Sequence, residues 1–347
     1  MTSLLEELRG LSTVDCDTLD ADVARAIGPF ADCTSNQAIA YGELTKVGGD
    51  GKPVHRQLIL ESIEVAHWMF GKQSDASLEE LAVELMMVGL SIRIIPETRG
   101  FLHVQTNPKL AYSTQKTIRN AERIISHFKH LAPDFDPKRI CIKIPSTWEG
   151  IQACRELERR GIATLATTLF CIEQAALAAE AGCRYVAPYV NELRVHFEPG
   201  YMDANKGAAI ILCGVLQEFF SRISKQTNSR TPEVVAASLT SIDEIMQLAG
   251  IRHITISPPL LAQLENTPAA GWTDATVGLA TRFSDYVSDI SLAELGSIVH
   301  DEARWRMAVT RSENGLSESK LVQALNIFAD MQDRLEGLVR EANVLVR

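Results

Sequence analysis

At 347 residues the chain exceeds a common single domain, yet an α/β barrel commonly needs about 250 residues and tolerates insertions, so one elaborated domain is the simplest organisation. With 46% hydrophobic and 22% charged residues, the composition belongs to a globule with a large core and excludes a disordered chain. A formal charge of −10 argues against nucleic acid and anionic membranes, which call for a clustered basic face, and leaves a small molecule as the expected partner.

The first residues, MTSLLEELRGLSTVD, carry acidic groups early and lack a basic stretch followed by an apolar one. They do not form a secretory signal, so the cytoplasm is the expected compartment. The first strand signal is STVDCDT, with Asp17 near its end; PFADCTSN follows and ends on Asn36. Next, KVGGDGKPVH signals a loop and leads into amphipathic patterns, which together predict a helical insertion over about 41–95. Beyond it, β-rich runs alternate with helical segments: GFLHVQT, RICIKIP, ATLATTLF, RYVAPYV, EVVAASL and HITISP. Between them STWEGIQACRELERRG opens on a Ser/Thr cap and ends on Gly161, and IEQAALAAEAG closes on Gly182. The strand signals total eight, the number that a closed (β/α)8 TIM barrel needs. The segment of about 317–347 is one long helical pattern, expected to cover an edge or the bottom of the barrel.

Seven cysteines are scattered without C-x-x-C pairs and several sit in apolar runs, so most are expected to be reduced core residues. The eight histidines show no H-E-x-x-H or similar spacing, and the sequence offers no support for a metal site or a cofactor.

In an α/β barrel the active site lies at the carboxyl ends of the strands, so polar residues late in apolar strands are informative. Asp17, Asn36, Gln105, Lys143, Thr167, Tyr189 and Ser238 form such a series. Lys143 lies between Ile142 and Ile144, so a strand that sends the isoleucines into the helix layer sends the lysine into the barrel. Desolvation there would free the amine for attack on a carbonyl. The competing reading is a structural ion pair between Lys143 and Asp17. Asp17 could instead move protons during carbon–carbon bond cleavage, or simply cap a strand end. Gln105, Thr167 and Tyr189 could order a water, or satisfy one another.

The runs C-I-K-I-P-S-T-W-E-G-I-Q-A, T-L-F-x-x-x-Q-A-x-x-A-x-x-A-G and A-P-Y-V resemble the transaldolase family, from T-V-D-C-D-T through T-I-S-P-P-L-L to a late R-W and a long helix. That resemblance implies a class I aldol mechanism, with Lys143 forming the Schiff base, Asp17 as acid and base, Thr167 holding a relay water and Asn36 binding substrate. It also allows a homodimer. Typical members have Glu, Asn, Ser and Phe where this chain has Gln105, Leu165, Ala187 and Tyr189, a set that resembles the fructose-6-phosphate aldolase branch. Loss of two polar groups at Leu165 and Ala187 favours a ketone donor with fewer hydroxyls, such as hydroxyacetone. The family's two phosphate-binding arginines fall at Glu192 and Thr240; Ser238 remains, and Arg194 is a candidate compensating cation. A carboxylate in place of an arginine repels phosphate, so the expected aldehyde is unphosphorylated. The alternatives are a conventional transaldolase moving dihydroxyacetone between sugar phosphates of the pentose phosphate pathway, and a non-catalytic metabolite-binding barrel.

Overall fold

A computed structural model describes residues 2–49, 51–71, 75–270, 272 and 292–344. Residues 50 and 72–74 of the expected insertion, and 345–347 of the expected last helix, lie outside the described residues. Among those described, eight parallel strands close a barrel in sequence order, β8 pairing back onto β1. They are β1 (Thr13–Asp17), β2 (Cys33–Thr34), β3 (Leu102–Gln105), β4 (Ile140–Pro145), β5 (Ala163–Leu169), β6 (Tyr185–Pro188), β7 (Glu233–Ala236) and β8 (His253–Ile256).

Alternation along the strands sorts side chains into two layers. Ile142 and Ile144 pack outward with Ile151 and Leu157 of the following helix, while Cys141 joins Leu165, Tyr185 and Val235 inside the barrel. PFADCTSN is strand over only two residues. Before them, the Asp32 carboxylate takes the Phe101 N–H; after them, Asn36 caps the next helix. Thr147 caps the helix Trp148–Arg159 by accepting from Gly150 N at 2.9 Å, and Gly161 ends that segment with a φ of +77°, where a side chain would be strained.

Between β2 and β3 stand the helices Gln37–Leu44, Arg56–Phe70 and Leu78–Ile94. Their apolar faces meet in a second cluster containing Ile63, Leu81 and Met86, completed by Leu335 and Val339. The latter two belong to the helix Leu316–Asn343, whose course corrects the sequence expectation. It crosses neither an edge nor the bottom but the carboxyl ends of the strands, where Leu321, Leu325 and Phe328 share an apolar cluster with Phe170, Tyr189 and Leu193. An amphipathic pattern specifies a stripe to bury, not the surface that buries it. The segment Gly207–Thr227 is long and apolar enough to cross a membrane by length and composition alone. Here Cys213, Leu216, Phe219 and Phe220 from it are packed in the core.

The amino-terminal floor of the barrel is filled with charge. His253 places Nδ1 2.8 Å from Asp15 and Nε2 3.1 Å from Glu233, while His103 Nε2 meets Asp32 at 2.9 Å. Asp15 also accepts from Asp32 N, and Asp32 from Phe101 N, so each oxygen of both aspartates already has a partner. Asp15, Asp32 and His253 lie close enough to surround an ion, but their ligand atoms are turned on one another and form a closed network. Desolvation opposes the charge on His253, and the bonds to Asp15 and Glu233 overcome it, raising its pKa to about 10. The same bond holds Glu233 down to about 2.

Candidate active site

At the opposite, carboxyl end of the barrel lies a cavity of about 480 Å³. That is within the usual range for small-molecule sites. Lys143 enters it from β4, only 3% exposed, and among the described residues no ion pair or hydrogen bond engages its Nζ. Asp17 enters from β1 and accepts from Thr34 Oγ1 at 2.6 Å; Thr34 in turn lies 2.6 Å from Thr255 Oγ1. Asn36 caps the helix Gln37–Leu44 through Oδ1, 3.0 Å from Ile39 N, which leaves its amide nitrogen as a donor beside the cavity. Tyr189 and Ser238 complete the set of sequence-expected residues on the wall.

Thr167 sits behind Tyr189, with Oγ1 3.5 Å from the phenol oxygen. Its position depends on an irregularity in β5: the register shifts after Ala166, and Thr168 takes a φ of +53°. Ser146 donates to Thr167 O from both its backbone and its hydroxyl, at 2.8 and 2.7 Å, and fixes the bend. A non-glycine residue in that backbone region persists only where its surroundings hold it there.

Gln105 pairs with Lys143 across β3 and β4 and is buried, and neither amide atom has a protein partner. It faces a small void beside Gln37 and Asn107 rather than the main cavity. Leu165 and Ala187 pack inside the barrel with Tyr185 and Tyr189.

The three positions expected at the distal end do not line the cavity. Glu192 is buried, hydrogen-bonded to the Tyr201 hydroxyl and, at 2.7 Å, to Gln323 of the last long helix. Thr240 turns to Glu244, donating from N and Oγ1 at 2.8 Å each. Arg194 pairs with Glu198 at 2.6 Å and stacks over Tyr201, 4.4 Å from its ring centre.

The structure adds cavity residues that sequence reasoning passed over: His196, Lys46, Thr255 and Phe328. His196 Nε2 lies 2.9 Å from Ser238 Oγ. His196 is exposed at the cavity, so the desolvation that lowers its pKa is partial, and Asp17 and Glu244 pull the other way. Lys46 is ion-paired with Asp20 and with Glu43, the latter at 2.6 Å. A histidine in the turn that follows a barrel strand was the available signal for His196. Cys171, beside the end of β5, is buried in the outer core and absent from the wall.

Comparison with known proteins agrees with this geometry. Residues 14–339 match the model of the family described as Transaldolase/Fructose-6-phosphate aldolase. A transaldolase of Alteromonas mediterranea is 29% identical over 98% of this chain and 99% of its own. A probable transaldolase of Drosophila melanogaster is 28% identical over 97% and 95%, and a transaldolase of Prochlorococcus marinus 31% over 77% of each chain.

Proposed function

The chain belongs to the transaldolase/fructose-6-phosphate aldolase family, and from that membership we propose that it joins or cleaves a carbon–carbon bond between a ketone donor carried on Lys143 and an unphosphorylated aldehyde. It is an enzyme, a transaldolase-like class I aldolase. The Lys143 amine adds to the ketone carbonyl and expels water, leaving an imine that accepts the electron pair released when the adjacent bond breaks. Asp17 takes the proton from the hydroxyl of the departing aldehyde and returns it in the reverse direction. Thr34 and Thr255 support that role by aligning the carboxylate. Thr167 and Tyr189 hold the water that forms and hydrolyses the imine. Leu165 and Ala187, buried in the apolar cluster behind the cavity rather than on its wall, add no hydrogen bond for the donor, which favours hydroxyacetone over dihydroxyacetone.

One observation carries the choice of aldehyde: apart from Lys143, which carries the donor, the cavity wall presents no unpaired lysine or arginine among the described residues. Lys46 is held by two carboxylates, and Arg194 lies outside the wall in its own ion pair. A phosphate dianion entering this cavity would lose water without gaining a charge-assisted partner. The names of the relatives favour a second reading, dihydroxyacetone transfer between sugar phosphates.

Borohydride trapping followed by intact mass measurement separates the two. Hydroxyacetone, dihydroxyacetone and fructose 6-phosphate are offered separately to wild type and Lys143→Ala. Wild type alone should gain a reduced adduct, most with hydroxyacetone. Rapid turnover of fructose 6-phosphate with erythrose 4-phosphate would instead establish the second reading.

A further inference from the structure

We propose that His196 and Ser238 form the acceptor-recognition pair of this enzyme, hydrogen-bonding a hydroxyl of a neutral hydroxyaldehyde at the mouth of the cavity; this rests on the function proposed above. Both side chains line the cavity that contains Lys143 and Asp17, and they touch each other at 2.9 Å. Nε2 is spent on Ser238 Oγ; when its N–H donates there, the serine oxygen keeps its own proton and a lone pair for the substrate, one donor and one acceptor, the pattern that complements another hydroxyl. The same pair is poorly matched to a dianion, which needs donors only.

Ser238 is placed there against a conformational cost. Its φ is +61°, in the region that favours glycine, and its carbonyl is pinned by Asn191 through N at 3.2 Å and Nδ2 at 2.9 Å. Asn191 is itself buried and bonded to Glu244. Strain held by a buried polar clamp, just past the end of a barrel strand, marks a side chain aimed for a purpose. Around the pair the wall is apolar, from Leu193, Phe197, Leu239 and Phe328. A neutral carbon skeleton can therefore pack while its hydroxyl is satisfied.

His196 also makes selection depend on acidity. Asp17 and Glu244 act on its charge, and Lys143, Lys46 and Glu43 line the same cavity. Protonation converts the pair into a cation with a hydroxyl, which accepts phosphate.

The test measures hydroxyacetone addition to D-glyceraldehyde and to D-glyceraldehyde 3-phosphate at about pH 8 and about pH 5.5. Wild type, His196→Ala, His196→Gln and Ser238→Ala are compared, with borohydride adduct formation on Lys143 as proof that each variant folds. At pH 8, His196→Ala should raise KM for glyceraldehyde about tenfold with kcat within about twofold, and His196→Gln should recover most of that loss. Acidification should raise the phosphate-to-neutral preference in wild type but not in His196→Gln, which controls for titration of the substrate. An unchanged KM in His196→Ala, in a wild type that favours glyceraldehyde, overturns the pair alone. A wild-type preference for the phosphorylated aldehyde at pH 8 overturns the function on which it rests.

Discussion

Asp17 and Lys143 open onto one cavity from β1 and β4 without forming an ion pair: the carboxylate takes its hydrogen bond from Thr34 Oγ1 at 2.6 Å. The structural ion pair that the sequence left open is therefore not made. An amine free of a counter-ion and a carboxylate aligned by a hydroxyl are separate tools, and they can be removed separately. Asp17→Asn should lower kcat by about 10²–10⁴-fold, the usual contribution of a general acid–base group. Borohydride should still trap hydroxyacetone on Lys143 in that variant. A kcat within a few-fold of wild type would mean that Asp17 moves no proton in the slow step.

The charged floor predicts a pH-dependent stability. His253 has its pKa raised from 6.5 to about 10, so its contribution is complete below about 6.5 and is lost as the pH climbs toward 10. Glu233 is shifted from 4.5 to about 2, so its share is complete above about 4.5 and lost as the pH falls toward 2. Both contribute fully between those limits, and Tm should decline on the alkaline side. His253→Leu should cost about 1–3 kcal/mol, because Asp15 and Glu233 lose a hydrogen-bond partner, while burial already pushes the Asp15 carboxyl toward its neutral form. It should also flatten the alkaline decline, and an equal slope in wild type and variant would refute the assignment.

Phe328 is fully buried and forms part of the cavity wall. Phe328→Ala should cost about 3–5 kcal/mol in urea unfolding. It should also lower KM for bulkier aldehydes relative to glyceraldehyde. A loss of stability without any change in relative KM values would show that the ring supports the cavity but does not limit what enters.

All seven cysteines are buried and unpaired. Burial raises the thiols of Cys16, Cys33, Cys141, Cys154 and Cys171, and that of Cys213 to about 12. In the native protein an aromatic disulfide reagent should therefore release less than one equivalent of thiolate, and all seven equivalents in denaturant. One fast equivalent in the native state would locate a reactive thiol that burial alone does not foresee.

The inner layer of the barrel was legible because strand alternation is strict: two isoleucines around Lys143 are enough to aim it. Asn36 was legible as a polar residue at a strand end, although its backbone belongs to a helix cap. Positions fixed by long-range partners were not legible. Gln323 lies 131 residues from Glu192, and no local pattern announces that bond. Thr240 falls outside the cavity because Glu244 takes both its donors. His196 lies in a short 3-10 turn with no periodicity, so only its proximity to Ser238 gives it meaning.

The Asp15–His253 contact joins residues 238 positions apart, on the strands that must meet to close the barrel. Apolar side chains tolerate a shifted seam, since one aliphatic contact replaces another. A slip of one residue between β1 and β8 would turn a buried carboxylate into the oily helix layer and strand an imidazolium without its anion. The seam thus has a single acceptable alignment. The most distant search in the chain ends in a contact that recognises its mate by charge, and the spacing of Lys143 and Asp17 at the far end inherits that alignment.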